Sequence, residues 1–156
     1  MNSNVPDFSK IQPFSVGDHY FDGAYVMLAV GMHNGLDQEM REVSAWIAFW
    51  GAVSSDAKAL HDAKESAYRV DRDRWKTNEM QTRTKKPTKT ALDDEWRTLP
   101  DYPKWERKKT EAERAWNIAT YVYEALLRKA NMLSALGKLE LDHRFSNPST
   151  PSPSLT

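Results

Sequence analysis

The chain contains no cysteine. That absence removes disulfides, thiolate zinc sites, iron–sulfur ligation and cysteine nucleophiles, and it suits a reducing compartment. Long apolar runs are missing too: the longest, around Ala24 to Val30, falls far short of the roughly 20 residues a membrane span needs. The stretch MNSNVPDFSK lacks a basic segment followed at once by an apolar one. A secretory signal is therefore not expected, and the cytoplasm, that of the host for a phage-encoded chain, is the expected location.

The usual marks of catalysis are also absent. His19, His33, His61 and His143 are scattered with no HExxH spacing, so no metal site is expected. The few glycines form neither a GxxxxGKS/T nor a GxGxxG pattern, and Ser44, Ser54, Ser55 and Ser66 have no GxSxG context. The acids Asp93, Asp94 and Glu95 read as the charged start of a helix. The expectation is a non-enzymatic protein without cofactors.

What is present fits one folded domain. The 156 residues include six Trp, six Tyr and five Phe, large apolar bodies that can build a core without disulfides. The net charge of zero conceals a sorted distribution: residues 1–63 hold 3 Lys/Arg against 8 Asp/Glu, whereas residues 64–110 hold 14 against 9. A basic middle of this kind marks either an acidic-partner surface or the solvated ends of helices.

The chain divides into an N-terminal segment (1–36), a helical hairpin (37–145) and a Ser/Pro-rich tail (146–156) expected to be disordered. The first segment reads as irregular up to FDGAYVMLAVGMHNGL, whose apolar run is read as a short helix ending at an Asn-Gly turn. From Asp37 to about Met80 there is no proline and one glycine, Gly51. Apolar residues recur at Val43, Trp46, Ile47, Trp50, Val53, Ala57 and Leu60, the spacing of one long helix. Pro87, Pro100 and Pro103 then break the pattern around a short helix at about 91–97, read as capped by Thr90 with Asp93, and Pro103 suits a first helical residue. Ala112, Ala119, Leu126 and Leu133, spaced by seven over 105–141, mark a second long helix with a packing seam. The fold class is all-α, an antiparallel hairpin of two long helices. Trp46, Trp50, Trp116 and Tyr123 carry more apolar area than two helices hide, which points to a homo-oligomer with Trp116, Tyr123, Leu126, Leu133 and Leu136 as contact residues.

At the turn of that hairpin lies TRTKKPTKT, with four basic residues and no acid. Together with the arginines before it, the candidate phosphate-contacting set is Arg69, Arg72, Arg74, Lys76, Arg83, Lys85, Lys86 and Lys89. Trp75, Trp96 and Trp105 lie near enough in sequence to be candidates for stacking on bases, with local packing as the competing reading.

The order of these features resembles the phage recombination mediator family UvsY over about residues 44–145. The resemblance rests on AFWGAVSSDAKAL, HDAKESAYRVDRDRW, KTNEMQTRTKKPTKT and the long final helix ERAWNIATYVYEALLRKANMLSALGKLELDHRF. The family's single-strand-contacting motif falls at YRVDRDR, where Asp71 and Asp73 stand among the arginines. What the resemblance implies is an oligomeric, ring-like helical assembly that binds single-stranded DNA, contacts the single-strand-binding protein and helps load a recombinase. The alternative is a non-enzymatic phage structural or assembly protein whose basic stretch is a solvated turn. No membrane contact is expected in either case.

Overall fold

Free of proline, the segment after Gly35 runs as a single helix. In the computed structural model, which describes residues 7–146, this helix α2 spans Leu36–Thr82, 47 residues. Asp37 and Glu39 lie in its first turn, where negative charge complements the helix dipole. Its highly charged second half is braced by pairs one turn apart, Lys58 with Asp62, Glu65 with Arg69 and Glu79 with Arg83.

The chain reverses through a shorter helix α3 (Lys89–Thr98) and returns as α4 (Tyr102–Ser146). Contacts rise along α2 as they descend α4: Gly51 lies against Tyr123, Ser54 Oγ is 3.0 Å from Thr120 Oγ1, and the His61 ring is 5.2 Å from that of Trp116. The architecture is the expected all-α antiparallel hairpin. Gly51 permits the close approach of the Tyr123 ring, since a Cβ there would sit only 3.3 Å from Tyr123 Cε2.

The N-terminal segment departs from the irregular reading. A single 3-10 turn (Phe8–Lys10) leads into a β-hairpin of β1 (Phe14–Val16) and β2 (His19–Phe21), with Phe14 opposite Phe21 and Val16 opposite His19. The reversal falls at Gly17, whose φ of 58° suits the left-handed turns that close two-residue hairpins. Phe14, Val16 and Phe21 turn inward while Ser15 and Tyr20 face water. Helix α1 (Gly23–Val30) follows, capped by Asp22, whose carboxylate accepts from Tyr25 N at 2.8 Å.

This layer covers the hairpin's aromatic surplus. The Phe21 ring lies 5.0 Å from Trp50 and 6.2 Å from Phe49, and Tyr25 stands 5.9 Å from Trp46. Phe14, Val16, Phe21, Val26 and Ala29 share one core with Trp50, Val53, Ala119, Val122 and Leu126. Residues 7–36 thus belong to the same packed body, and Trp50 is fully buried without a second chain. The seven-residue seam is likewise filled from within: Leu126 and Leu133 are buried in the single chain, Trp116 and Tyr123 are half-buried, and of the five expected contact residues only Leu136 is exposed. The tail expected to be disordered lies, from residue 147 on, outside the described residues, and Ser146 closes α4.

One buried ion pair binds four parts of the fold. Lys129 Nζ on α4 is 2.5 Å from Glu39 Oε2 on α2, and it donates to the carbonyls of Ala29 and Gly31 at the end of α1. Glu39 Oε1 accepts from the backbone N–H groups of His33 and Asn34 at 2.8 and 2.9 Å. Burial opposes charge on Glu39, but the Lys129 ammonium and the two amides outweigh it and hold the carboxyl at about 2. The three ammonium protons and both carboxylate oxygens have partners, so neither charge is left bare.

Candidate nucleic-acid interface

The end of the hairpin where α2 stops is built around tryptophan. Thr88, not Thr90, caps α3, with its Oγ1 accepting from Ala91 N at 3.2 Å, so the helix begins two residues earlier than the Thr90–Asp93 pattern suggests. That start turns Leu92 and Trp96, four residues apart, toward the long helices, where both are buried. Helix α4 begins at Tyr102, which places Pro103 second in it, inside the first turn where a missing N–H costs nothing.

Trp96 is the centre of this end. Its ring stacks on Trp105 at 4.4 Å with the planes 4° apart, lies 5.6 Å from Trp75, and meets Tyr68 edge-on at 6.0 Å. Its indole N–H donates to Tyr68 Oη at 3.1 Å. With 2% of its surface exposed, Trp96 has no face to offer a base, and its role is packing. Trp75 and Trp105 are half-buried around it, and Lys109 Nζ stands 5.6 Å above the Tyr68 ring.

The eight candidate cations separate into two groups. Arg69 pairs with Glu65 at 2.7 Å, Arg72 with Asp73 at 3.3 Å, and Lys76 with Asp93. Arg83, which ends α2, bridges Glu79 and Glu95, each at 2.7 Å. The hydrogen bonds that Arg83 donates to Glu95 and then to Glu79 raise its pKa further, while that from Lys76 lowers the Asp93 carboxyl and that from Arg83 lowers Glu95. These four cations fasten α2 to itself or to α3.

Arg74, Lys85, Lys86 and Lys89 differ: all are exposed, and among the described residues none makes an ion pair. Lys86 and Lys89, with Lys76, rim an open groove of about 530 Å³ between the end of α2 and α3. Met80 and Leu92 supply apolar lining that sequence reasoning did not single out, because they face each other only once α3 is placed. The groove thus holds three ammonium groups, that of Lys76 already paired, around an apolar floor, with Asp73 also in its lining.

Set beside family models, curated proteins and solved structures, the chain matches none. Among the described residues no helix is long and apolar enough to cross a membrane, and no group of three or more His, Asp or Glu could hold a metal ion.

Proposed function

We propose that the protein is a non-enzymatic single-stranded-DNA-binding protein that engages the phosphate backbone through the tip of its hairpin. The observation that carries this reading is the run Lys85, Lys86 and Lys89, exposed at the turn with no carboxylate partner while Lys76 and Arg83 before it are paired. Unpaired ammonium groups keep their full attraction for a polyanion, whereas paired ones must first give up a partner. Trp75 and Trp105, half-buried around Trp96 at the same end of the hairpin, add aromatic area to that end, and single-strand binders combine aromatic rings with cations without reading sequence.

The resemblance to the UvsY family extends the reading to a recombination mediator that contacts a single-strand-binding protein and loads a recombinase during phage recombination and repair. Such a role draws on self-association, because a few phosphate contacts per chain are weak and a multimer multiplies them. Met132, Leu136 and Leu139, spaced by four and three on α4 and all exposed, supply an apolar stripe for it. A second reading, a helical structural or assembly protein, draws on the internal pairing of Arg69, Arg72, Lys76 and Arg83, which makes half of the basic set a means of fastening the fold.

The test is a titration of fluorescent single-stranded oligonucleotide at low salt with the wild type and with Lys85→Ala/Lys86→Ala/Lys89→Ala. Binding by the wild type and its marked weakening in the triple variant are expected. No binding by the wild type leaves the assembly reading in its place.

A further inference from the structure

About half of the described lysines and arginines make no ion pair, and some of these share a groove. Besides the tip residues, Lys64 on α2 and Lys108 on α4 make no ion pair among the described residues, and Arg114 is held only by the carbonyl of Gln12, at 2.8 Å. All three line one open groove of about 470 Å³, where β1 meets the two long helices, with Phe14 and Leu60 as its apolar walls. The single carboxylate in the lining, Glu111, is drawn toward Arg107 at 3.9 Å. Three positive groups converging on one concavity repel one another unless an anion joins them. In a chain with as many acids as bases, nothing in composition forces this surplus.

From this convergence we infer a second phosphate-binding site, in which Lys64, Lys108 and Arg114 hold the backbone of single-stranded DNA that extends from the hairpin tip toward the middle of the molecule. The inference rests on the tip reading for the identity of the polyanion, but the two sites are separate in space. Lys64 and Arg83 are 19 positions apart on one helix, roughly 28 Å at 1.5 Å per residue. Arg114 is fixed by the Gln12 carbonyl and so is pre-positioned, while Lys64 and Lys108 are exposed and free to turn toward phosphate oxygens. No bond is made or broken at this site.

The experiment measures binding of an oligothymidylate of about 30 nucleotides across a salt series by the full chain, by Lys64→Ala/Lys108→Ala, by Lys64→Arg/Lys108→Arg and by the tip triple variant. Removing two phosphate contacts weakens binding by about tenfold at low salt and flattens the log–log salt dependence by about 1.4. The arginine pair retains binding, and the thermal midpoint of the alanine pair stays at the wild-type value because both side chains are exposed. An unchanged affinity and slope in the alanine pair, with binding lost in the tip variant, overturns this second site and leaves the tip reading intact. Loss in the alanine pair with no loss in the tip variant does the reverse. Absence of binding by the wild type overturns both.

Discussion

Lys129 and Glu39, ninety positions apart in the sequence, meet inside the protein at 2.5 Å, and both are almost wholly withdrawn from water. The lysine also closes the end of α1, and the glutamate holds the turn that leads into α2. Because each charge has a full set of partners, removing one leaves the other uncompensated in the interior.

Lys129→Met should therefore destabilise the fold by about 3–5 kcal/mol, since it leaves an unpaired buried carboxylate. The double change Lys129→Met/Glu39→Leu should cost less than the sum of the two single changes. Urea unfolding of the four proteins checks this as a double-mutant cycle, and additive costs would show that the pair is not coupled.

Acid should weaken the protein through the same group. The Glu39 carboxyl is held at about 2 against an ordinary value of 4.5, so the folded state binds its proton less readily than the unfolded state. The stabilisation is complete above pH 4.5 and is lost as pH falls from there toward 2. Glu39→Gln should flatten the stability profile in that window, as followed by thermal melts at a series of pH values. A variant profile parallel to the wild type would contradict the assignment.

Trp96 should behave as core and not as a binding residue. Trp96→Ala removes the ring on which Trp105 stacks and should cost about 3–5 kcal/mol. Trp96→Phe, which keeps most of the volume, should fold with less loss and bind oligonucleotide as the wild type does. Weaker binding by a well-folded Trp96→Phe, read by oligonucleotide titration beside a melting curve, would return Trp96 to the contact surface.

The two long helices were legible in the sequence because an apolar period sustained for dozens of residues, with no proline inside, leaves a helix as the only consistent reading. The β-hairpin was not: strands of three residues are too short for alternation to stand out, and Gly17-Asp18 was the one readable signal. Without it Trp50 looks uncovered and Leu126, which shares its core, reads as a subunit contact. At α3 the Thr90–Asp93 pattern misplaced the cap, which is Thr88, just after Pro87. Lys129 carried a visible hint, a cation between Leu126 and Leu133 on the packing face, but the identity of its partner depends on the folded topology. At the tip the basic composition was plain, whereas the neutralisation of Arg69, Arg72, Lys76 and Arg83 depends on which turn or helix each one faces.

The salt dependence of single-stranded DNA binding tests the central claim most directly. Each ammonium group in contact with a single-strand phosphate contributes about −0.7 to the slope of log K against log salt. The slope for Lys85→Ala/Lys86→Ala/Lys89→Ala should therefore be shallower than the wild type's by about 2. Equal slopes for the two proteins would mean that the three unpaired lysines at the tip touch no phosphate.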